Sequence, residues 1–492
     1  QNINLRVMEF SRRRFIKALG LGTIASCVPA QLLHAERMSS PEIPDLRRTR
    51  LPSLGCDVIV VGAGPSGIPA AMAAARMGAK VILLEEDMII GGATTDMYVT
   101  YMCGAPRTGV YLDVVQELNR NHSLGGKPSG TLGEWAWDGK NHWWLPSSYS
   151  QVWNDMVGRY DNLQVMCGAS VVDVAVKSKG SRNVVKGVYV SRGGKLQFIG
   201  APVTIDATGT GLVSMKAGCE YYYGSDSKSD FNESIGMEKS DGRVQPCTQM
   251  FISQRIKRDA RFPRGVFNTG VLDNDDKLWA TQQSDEYFES KDSGVFLHWG
   301  ATVECKDTTD PVEVAVAQAK ALEKLKPQLK ALHKAGYATH LAPKIGVRES
   351  RRVRGEYVIT VDDILNGVMP DDIVADAWYS LDPWGIKLDE KMRNSVGPYG
   401  IPYRALIPYS TEGLLTAGRI ISGTRLAMSS YRVQPICGTI GEAAGTAAAM
   451  ASMSKTGVRD IDVRQLQRTL DSFGLFDWYG KVGMNVNNKV WK

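Results

Sequence analysis

Val58-Ile59-Val60-Val61 runs straight into Gly62-Ala63-Gly64-Pro65-Ser66-Gly67, and this junction constrains the fold more than any other part of the chain. The β-branched run predicts a strand, and the alanine-rich stretch from Pro65 to Met77 predicts a helix directly after the turn. The glycines divide the physical work of that turn. Gly62 permits its tightness, Gly64 lets backbone N–H groups approach a pyrophosphate, and Gly67 lets helix and strand pack closely. The helix N-terminus then faces the phosphates across Pro65 and Ser66. Lys80-Val81-Ile82-Leu83-Leu84 reads as the second strand. Glu85 ends it, where a carboxylate can accept both hydroxyls of a ribose, with Glu86 beside it. A lone glycine motif is weak, but here strand, turn, helix, strand and acid follow in order within about thirty residues. The unit predicts binding of an adenine dinucleotide. The alternative, a glycine-rich turn in an unrelated α/β protein, leaves Glu85 and Gly91-Gly92 unexplained.

Distant segments bear on which dinucleotide. Val203-Thr204-Ile205-Asp206-Ala207-Thr208-Gly209-Thr210-Gly211 is a β run ending in a glycine turn, and Leu414-Leu415-Thr416-Ala417-Gly418-Arg419 is another. A small-residue helix start follows, from Gly438 through Gly441 to Ala448. A chain using only NAD needs no such second set, whereas small residues at a helix start would let its positive end approach a flavin ring.

These segments resemble the FAD-dependent oxidoreductase family with a glutathione-reductase-like FAD domain, from about Cys56 to about Phe473. Ile90-Gly91-Gly92 matches the family's second pyrophosphate segment, and Val171-Val172-Asp173-Val174 looks like the strand that passes the adenine. Asp206-Ala207-Thr208-Gly209 matches its D-A-T-G turn, Gly346–Gly355 its R-E-S-R-R block, and Ile401-Pro402-Tyr403-Arg404 its I-P-Y-R block. The resemblance implies FAD held by Gly62, Gly64, Pro65, Ser66, Gly67, Glu85, Glu86, Gly91, Gly92, Val172, Ala207, Thr208, Gly209, Gly418, Arg419 and Gly441. It also implies an α/β fold: a discontinuous Rossmann-like FAD-binding domain, with a parallel sheet and helices, plus an inserted α+β substrate or cap domain. The FAD domain would comprise 56–120, 161–224 and 409–455, with a Trp-rich insert at 121–160, the cap at 225–408 and a helical tail at 456–492. The chain departs from the family pattern at Leu426–Ser430, where a histidine is frequent, and at Glu442, where glutamine is common.

Ser11-Arg12-Arg13-Arg14-Phe15-Ile16-Lys17 ahead of the uncharged stretch Ala18–Ser26 resembles a twin-arginine signal, predicted to occupy 1–30 with a linker at 31–55. Cleavage after Ala30 suits a small-residue rule. Ile24-Ala25-Ser26-Cys27 also resembles a lipobox that would make Cys27 a lipid anchor, and a basic arm that stays disordered is the third alternative. Met8 looks like a natural start. The signal implies a periplasmic or extracellular protein. A flavoenzyme exported after folding would draw electrons from an organic substrate rather than from NAD(P)H, and would pass them to oxygen, a quinone or a cytochrome.

The formal net charge is +6, but residues 1–30 hold five basic residues against Glu9, leaving +2 for the remainder. Such balance gives no electrostatic reason for a nucleic-acid partner. No run of 18 apolar residues predicts a transmembrane segment. The eight cysteines show no metal-ligand spacing, so no metal site is expected.

Flavin chemistry needs a substrate C–H near N5 and a base for the accompanying proton. Candidates are His298, in a strand flanked by glycines, together with Tyr403, Tyr431 and Arg432. Arg348, Arg351, Arg352 and Arg354 could bind an anion, or could simply be ion-paired with Glu349 and Glu356. Cys103 could lie near the flavin and attach to it, or be an ordinary buried thiol. Trp135, Trp137, Trp143, Trp144 and Trp153 could form a stacking platform or cover a core. The leading expectation is hydride transfer from a small organic substrate to flavin N5. A reductase of an unsaturated acid and a non-catalytic FAD electron-transfer subunit are the alternatives.

Overall fold

The short apolar runs of the sequence become the middle of a parallel sheet. In chain order the principal strands are β1 (Val58–Val61), β2 (Val81–Leu84), β3 (Leu163–Met166), β4 (Ala169–Lys179), β5 (Arg182–Arg192), β6 (Lys195–Gly200), β7 (Val203–Asp206), β8 (Cys247–Arg255), β9 (Val295–Val303), β10 (Tyr337–Leu341) and β11 (Leu414–Thr416). The principal helices are α1 (Gly67–Arg76), α2 (Gly109–Asn121), α3 (Pro146–Val157), α4 (Pro311–Ala335), α5 (Arg425–Tyr431), α6 (Gln434–Ser454) and α7 (Val463–Ser472). The computed structural model describes residues 51–104, 108–122, 143–180, 182–260, 263 and 294–476. The expected signal, its cleavage site, Cys27, most of the linker, Trp135, Trp137 and residues 477–492 of the tail lie outside the described residues.

The sheet order is β11-β7-β1-β2-β3, every neighbouring pair parallel. Every residue of β1, β2, β7 and β11 is buried. This explains why these strands read as unbroken apolar runs rather than alternating ones: helices and a further sheet cover both faces. Three remote stretches of chain, 58–84, 163–206 and 414–416, build the sheet together. Their C-terminal ends deliver the Gly62 turn, Glu85, Asp206 and Gly418 to one edge, where open α/β sheets place their ligands.

Helix α6 lies on α1 almost backbone to backbone. A Cβ on Gly441 would stand 2.1 Å from the Ser66 carbonyl oxygen, and one on Gly445 would stand 2.0 Å from that of Ala70. The small residues of Gly438–Ala448 therefore set the interhelical distance. Helix α6 is buried along nearly its whole length, in the same core as Trp144, Trp153, Tyr111 and Tyr403.

Strands β9-β8-β10 form a separate antiparallel sheet. Residues alternate between its faces. Phe251, Phe296 and Ala301 meet Ala317, Ala321, Leu325 and Leu332 of α4. Met250, Ile252, Val295 and Leu297 instead meet Trp143, Tyr98, Val99 and Tyr101. The latter face thus rests on the segment that continues from Gly91-Gly92. Helix α4 starts where Asp310 accepts from the Val312 N–H and stops at Gly336, whose φ of +94° suits glycine. Among the described residues no helix is long and apolar enough to cross a membrane.

The three described tryptophans of the predicted insert are packed rather than displayed. Trp143 and Trp144 are 3% exposed, and Trp153 is fully buried with its Nε1 donating to Thr94 Oγ1 at 3.3 Å.

Candidate active site

The turn after β1 is too tight for any side chain but hydrogen. A Cβ on Gly67 would lie 1.7 Å from the Gly62 carbonyl oxygen, and Gly62 itself, at φ +97°, would strike Ala207. Gly64 differs: the nearest heavy atom to its added Cβ is Gly92 Cα at 4.0 Å. Gly91 N–H donates to Ala63 O at 2.8 Å, which holds the Gly91-Gly92 segment opposite the turn. At the head of α1, Ser66 makes no side-chain cap, and its buried Oγ has no protein partner. Unused N–H groups at a helix start, an orphan hydroxyl and a bare glycine facing a second glycine pair together fit a pyrophosphate.

Glu85 is buried at the end of β2, with Ala63 N–H donating to Oε2 at 2.7 Å and Asp87 N–H to Oε1 at 3.0 Å. Burial raises its pKa, opposed by those two bonds. The fixed carboxylate stands where a ribose would meet it. Glu86 is different in kind: its side chain is exposed and 3.7 Å from Lys344 Nζ. Val172 lies at an irregularity in the β4–β5 pairing, between Val171 and Asp173.

The end of β7 forms a second turn at the same sheet edge. The buried Asp206 carboxylate accepts from Thr208 Oγ1 at 2.7 Å and from Ser214 Oγ at 2.7 Å, which folds Ala207-Thr208-Gly209 into a turn. Arg419 clamps this turn, donating from Nε to Gly209 O at 2.9 Å and from Nη1 to Val347 O at 2.6 Å. Burial lowers its pKa. A Cβ on Gly418 would come within 3.0 Å of Ser66 Cβ and 4.0 Å of Cys437 Sγ. Gly418, Gly441 and Ser66 therefore converge on one wall.

That wall continues into a group of arginines. Cys437 Sγ donates to Arg432 O at 3.3 Å, and Gln434 Nε2 to Val99 O at 2.6 Å. Arg432 Nη2 donates to Asp382 Oδ2 at 2.7 Å, while its Nε is buried with no partner. Asp382 also accepts from Trp384 Nε1 at 2.8 Å and Arg393 Nη2 at 3.3 Å. The Trp384 ring lies under Arg348, whose guanidinium carbon is 3.9 Å from the ring centroid. Burial and the charge of Arg432 push Arg348 down to about 10. Burial, with Asp382 adding to it, pushes the Cys103 thiol up to about 11, opposed by Tyr379, Arg432 and Arg348. Gly104 completes the contact, since its added Cβ would lie 3.3 Å from Val433 and 3.5 Å from Tyr379.

The four candidate residues are dispersed by the fold, and only Arg432 joins this cluster. His298 projects from the α4-covered side of β9, stacked on Phe251 with ring centroids 4.1 Å apart and 2.8 Å from Ser253 Oγ. Burial pushes it down to about 3. Tyr403 is buried in the main core, its hydroxyl donating to Val458 O at 2.8 Å. Tyr431 is equally buried and donates to Ile421 O at 3.2 Å. Asp382, Trp384 and Tyr379 are the cluster residues that sequence reading passed over. The Asp382-Pro383-Trp384-Gly385 turn was their one visible signal. The arginine block also divides: Arg352 is fully paired with Glu349 and Asp226, and Arg354 with Glu220.

A glycine turn that fits a pyrophosphate, a buried carboxylate ending the next strand and the close packing of α6 on α1 meet at one sheet edge, as an enzyme of the FAD-dependent oxidoreductase class requires. The chain belongs to the family described as FAD dependent oxidoreductase, whose model matches residues 57–470. FAD is its cofactor. A 38-residue stretch is 53% identical to the alpha subunit of sarcosine oxidase from Rhizobium meliloti (strain 1021), spanning 8% of this chain and 4% of that protein. Among solved structures, a flavin-dependent brominase is similar at 12% identity over 88% of each chain, with a TM-score of 0.38. A geranylgeranyl bacteriochlorophyll reductase-like protein from Thermoplasma acidophilum is similar at 12% identity over 85% of this chain and 83% of that one, with a TM-score of 0.35.

Proposed function

We propose that this chain oxidises a small organic molecule at a carbon–hydrogen bond and passes the electrons to oxygen, a quinone or a cytochrome. The observation that carries this reading is the junction at the start of α6. The same turn that closes the flavin wall through Gly441 and Cys437 also brings Arg432 up to Asp382. FAD supplies the hydride acceptor at N5. The chain's own residues bind and orient the substrate: Arg348 and Arg432 offer guanidinium donors, and Trp384 and Tyr379 offer ring surface. Asp382, held by Arg432, Arg393 and Trp384, fixes the orientation of the Arg432 guanidinium.

The arrangement is glutathione-reductase-like in this reading, with the β9-β8-β10 sheet and α4 belonging to an inserted substrate-covering domain at 225–408. The contact of its Met250, Ile252 and Leu297 face with Tyr98–Tyr101 supports that role. A twin-arginine signal at 11–17 would carry the loaded protein to the periplasm or beyond, with lipid attachment at Cys27 as a variant of the same route. Lysine at both Arg12 and Arg13 should retain the protein in the cytoplasm. Unchanged export of that variant would remove the route.

The reaction is tested by mixing flavin-loaded protein with small-molecule pools without oxygen and following the visible flavin band. Bleaching by a reduced substrate supports oxidation. The same cluster favours a second reading, reduction of an unsaturated acid, because Arg348 has no carboxylate partner among the described residues. Recolouring of reduced protein by such an acid, with no bleaching by any reduced compound, would select it.

A further inference from the structure

Two arginines eighty-four positions apart stand around one tryptophan and one aspartate, and they are served unequally. Arg348 donates from Nη1 to Pro246 O and Thr248 Oγ1, both at 2.7 Å, and both acceptors are neutral. Among the described residues no carboxylate lies within ion-pair distance of it. Four residues on, Arg352 has two, Glu349 at 2.8 Å and Asp226 at 2.8 Å. One short segment thus contains a fully compensated guanidinium and an uncompensated one.

Removing a charge from water costs several kcal/mol unless a partner compensates it, at roughly the cost of the Born term reduced by relaxation. Arg352 meets that cost within the chain. Arg348 does not: it is stacked on Trp384, beside the like charge of Arg432, and partly shut off from solvent. Asp382 is ion-paired with Arg432 and Arg393 instead, and acts on Arg348 only from beyond ion-pair distance. Arg432 in turn leaves its buried Nε without an acceptor. Beside them, both polar atoms of the Gln245 side chain are buried and unpartnered, and Gln245 immediately precedes the Pro246 carbonyl that holds Arg348.

We propose that Arg348 and Arg432 together hold the carboxylate of the substrate, which makes the substrate an organic acid with a planar or apolar body beside Trp384 and Tyr379. This rests on the oxidoreductase reading above and deepens it by naming the group that anchors the substrate. A carboxylate supplies two planar acceptor oxygens that match a guanidinium fork and offsets the surplus positive charge. A phosphate would also offset it but carries more charge and a tetrahedral outline.

The test uses the full, FAD-loaded chain, titrated with benzoate, benzamide and inorganic phosphate while the visible flavin spectrum is recorded. Benzoate should perturb the spectrum saturably, with benzamide at least about tenfold weaker because it lacks the charge, and phosphate at least about tenfold weaker because it lacks the planar body that Trp384 and Tyr379 would cover. Arg348→Gln and Arg432→Gln should each weaken benzoate about tenfold or more on the same grounds, with the flavin still bound. Arg348→Lys, which keeps the charge and loses the fork, should fall between, and it replaces the glutamine variant if that one does not fold. Arg354→Gln, at the exposed Glu220 pair, should leave benzoate binding unchanged. Equal binding of benzoate and benzamide, preference for phosphate, or indifference to both Arg348 variants would overturn the proposal. A purified chain without flavin absorbance would instead strike at the oxidoreductase reading, so the two failures are distinct.

Discussion

Gly441 of α6 and Ser66 at the head of α1 meet with no space between them: a Cβ on Gly441 would sit 2.1 Å from the Ser66 carbonyl oxygen and 3.0 Å from its Oγ. Gly441 lies two turns inside the buried helix α6 and Ser66 stands at the N-cap of α1, so neither backbone can yield cheaply. Gly441→Ala should therefore lower stability by about 1–3 kcal/mol, the usual range for overpacking. The same shift moves the orphan Ser66 hydroxyl, so the variant should purify with a reduced ratio of flavin to protein absorbance. Full flavin content and an unchanged Tm in the Gly441→Ala protein would contradict this geometry.

Glu442, the next residue, is fully enclosed, with Val110 N–H donating to Oε1 at 2.7 Å and Arg76 Nη2 3.4 Å from Oε2. Burial lifts its pKa to about 7, against the opposing pull of Val110 and Arg76. A raised carboxyl contributes stability fully present below its unfolded value of 4.5, and this is lost as pH rises through 7. The loss is at most about 3 kcal/mol. Glu442→Gln should remove this dependence, so its Tm relative to the parent should climb between pH 5 and pH 8. A constant difference across that range would mean that Glu442 is ionised throughout.

His298 bears on pH in the opposite sense. Its pKa, depressed to about 3 by burial, leaves it neutral in the folded protein, so its contribution is present above 6.5 and drains away as pH falls toward 3. The slope is at most about 1.4 kcal/mol per pH unit. His298→Gln should soften acid unfolding while changing kcat/KM by less than about tenfold, or 1.4 kcal/mol. A kcat limb near neutral pH that vanishes in this variant would return His298 to the chemistry.

The thiol of Cys103, held near 11, is protonated at neutral pH and a poor nucleophile. Acid precipitation should give a colourless pellet and a yellow supernatant, and Cys103→Ala should retain its flavin. A yellow pellet lost in that variant would establish a covalent bond.

The strand–turn–helix–strand unit at Val58–Leu84 was legible because its logic is local. Gly62, Gly64 and Gly67 are spaced by one turn, and Glu85 ends the very next strand, so neighbours in sequence are neighbours in space. The arginine cluster is the opposite case. Whether Arg348 or Arg352 is compensated depends on Asp226, Glu349 and Asp382, which the fold gathers from three regions, and their shared R-E-S-R-R context treats the two arginines alike. The place of His298 was not legible from the glycines flanking its strand, because what decides its surroundings is the face covered by α4, supplied by residues 311–335. The alternation in Val295–Trp299 did hold the clue, since His298 shares its face with Phe296 rather than with Leu297.

The order of strands also has a consequence in time. The first wall of the flavin cleft, at Gly62, is synthesised 379 residues before the last, at Gly441. At translation speeds of 5–20 residues per second, roughly 20 to 80 s separate the two. For the part of that interval between Asp206 and Leu414, 208 positions apart, β7 waits for β11 with an unpaired edge. A chain interrupted in that window lacks the strand that covers β7, and so carries a row of unpaired N–H and C=O groups open to pairing with another chain.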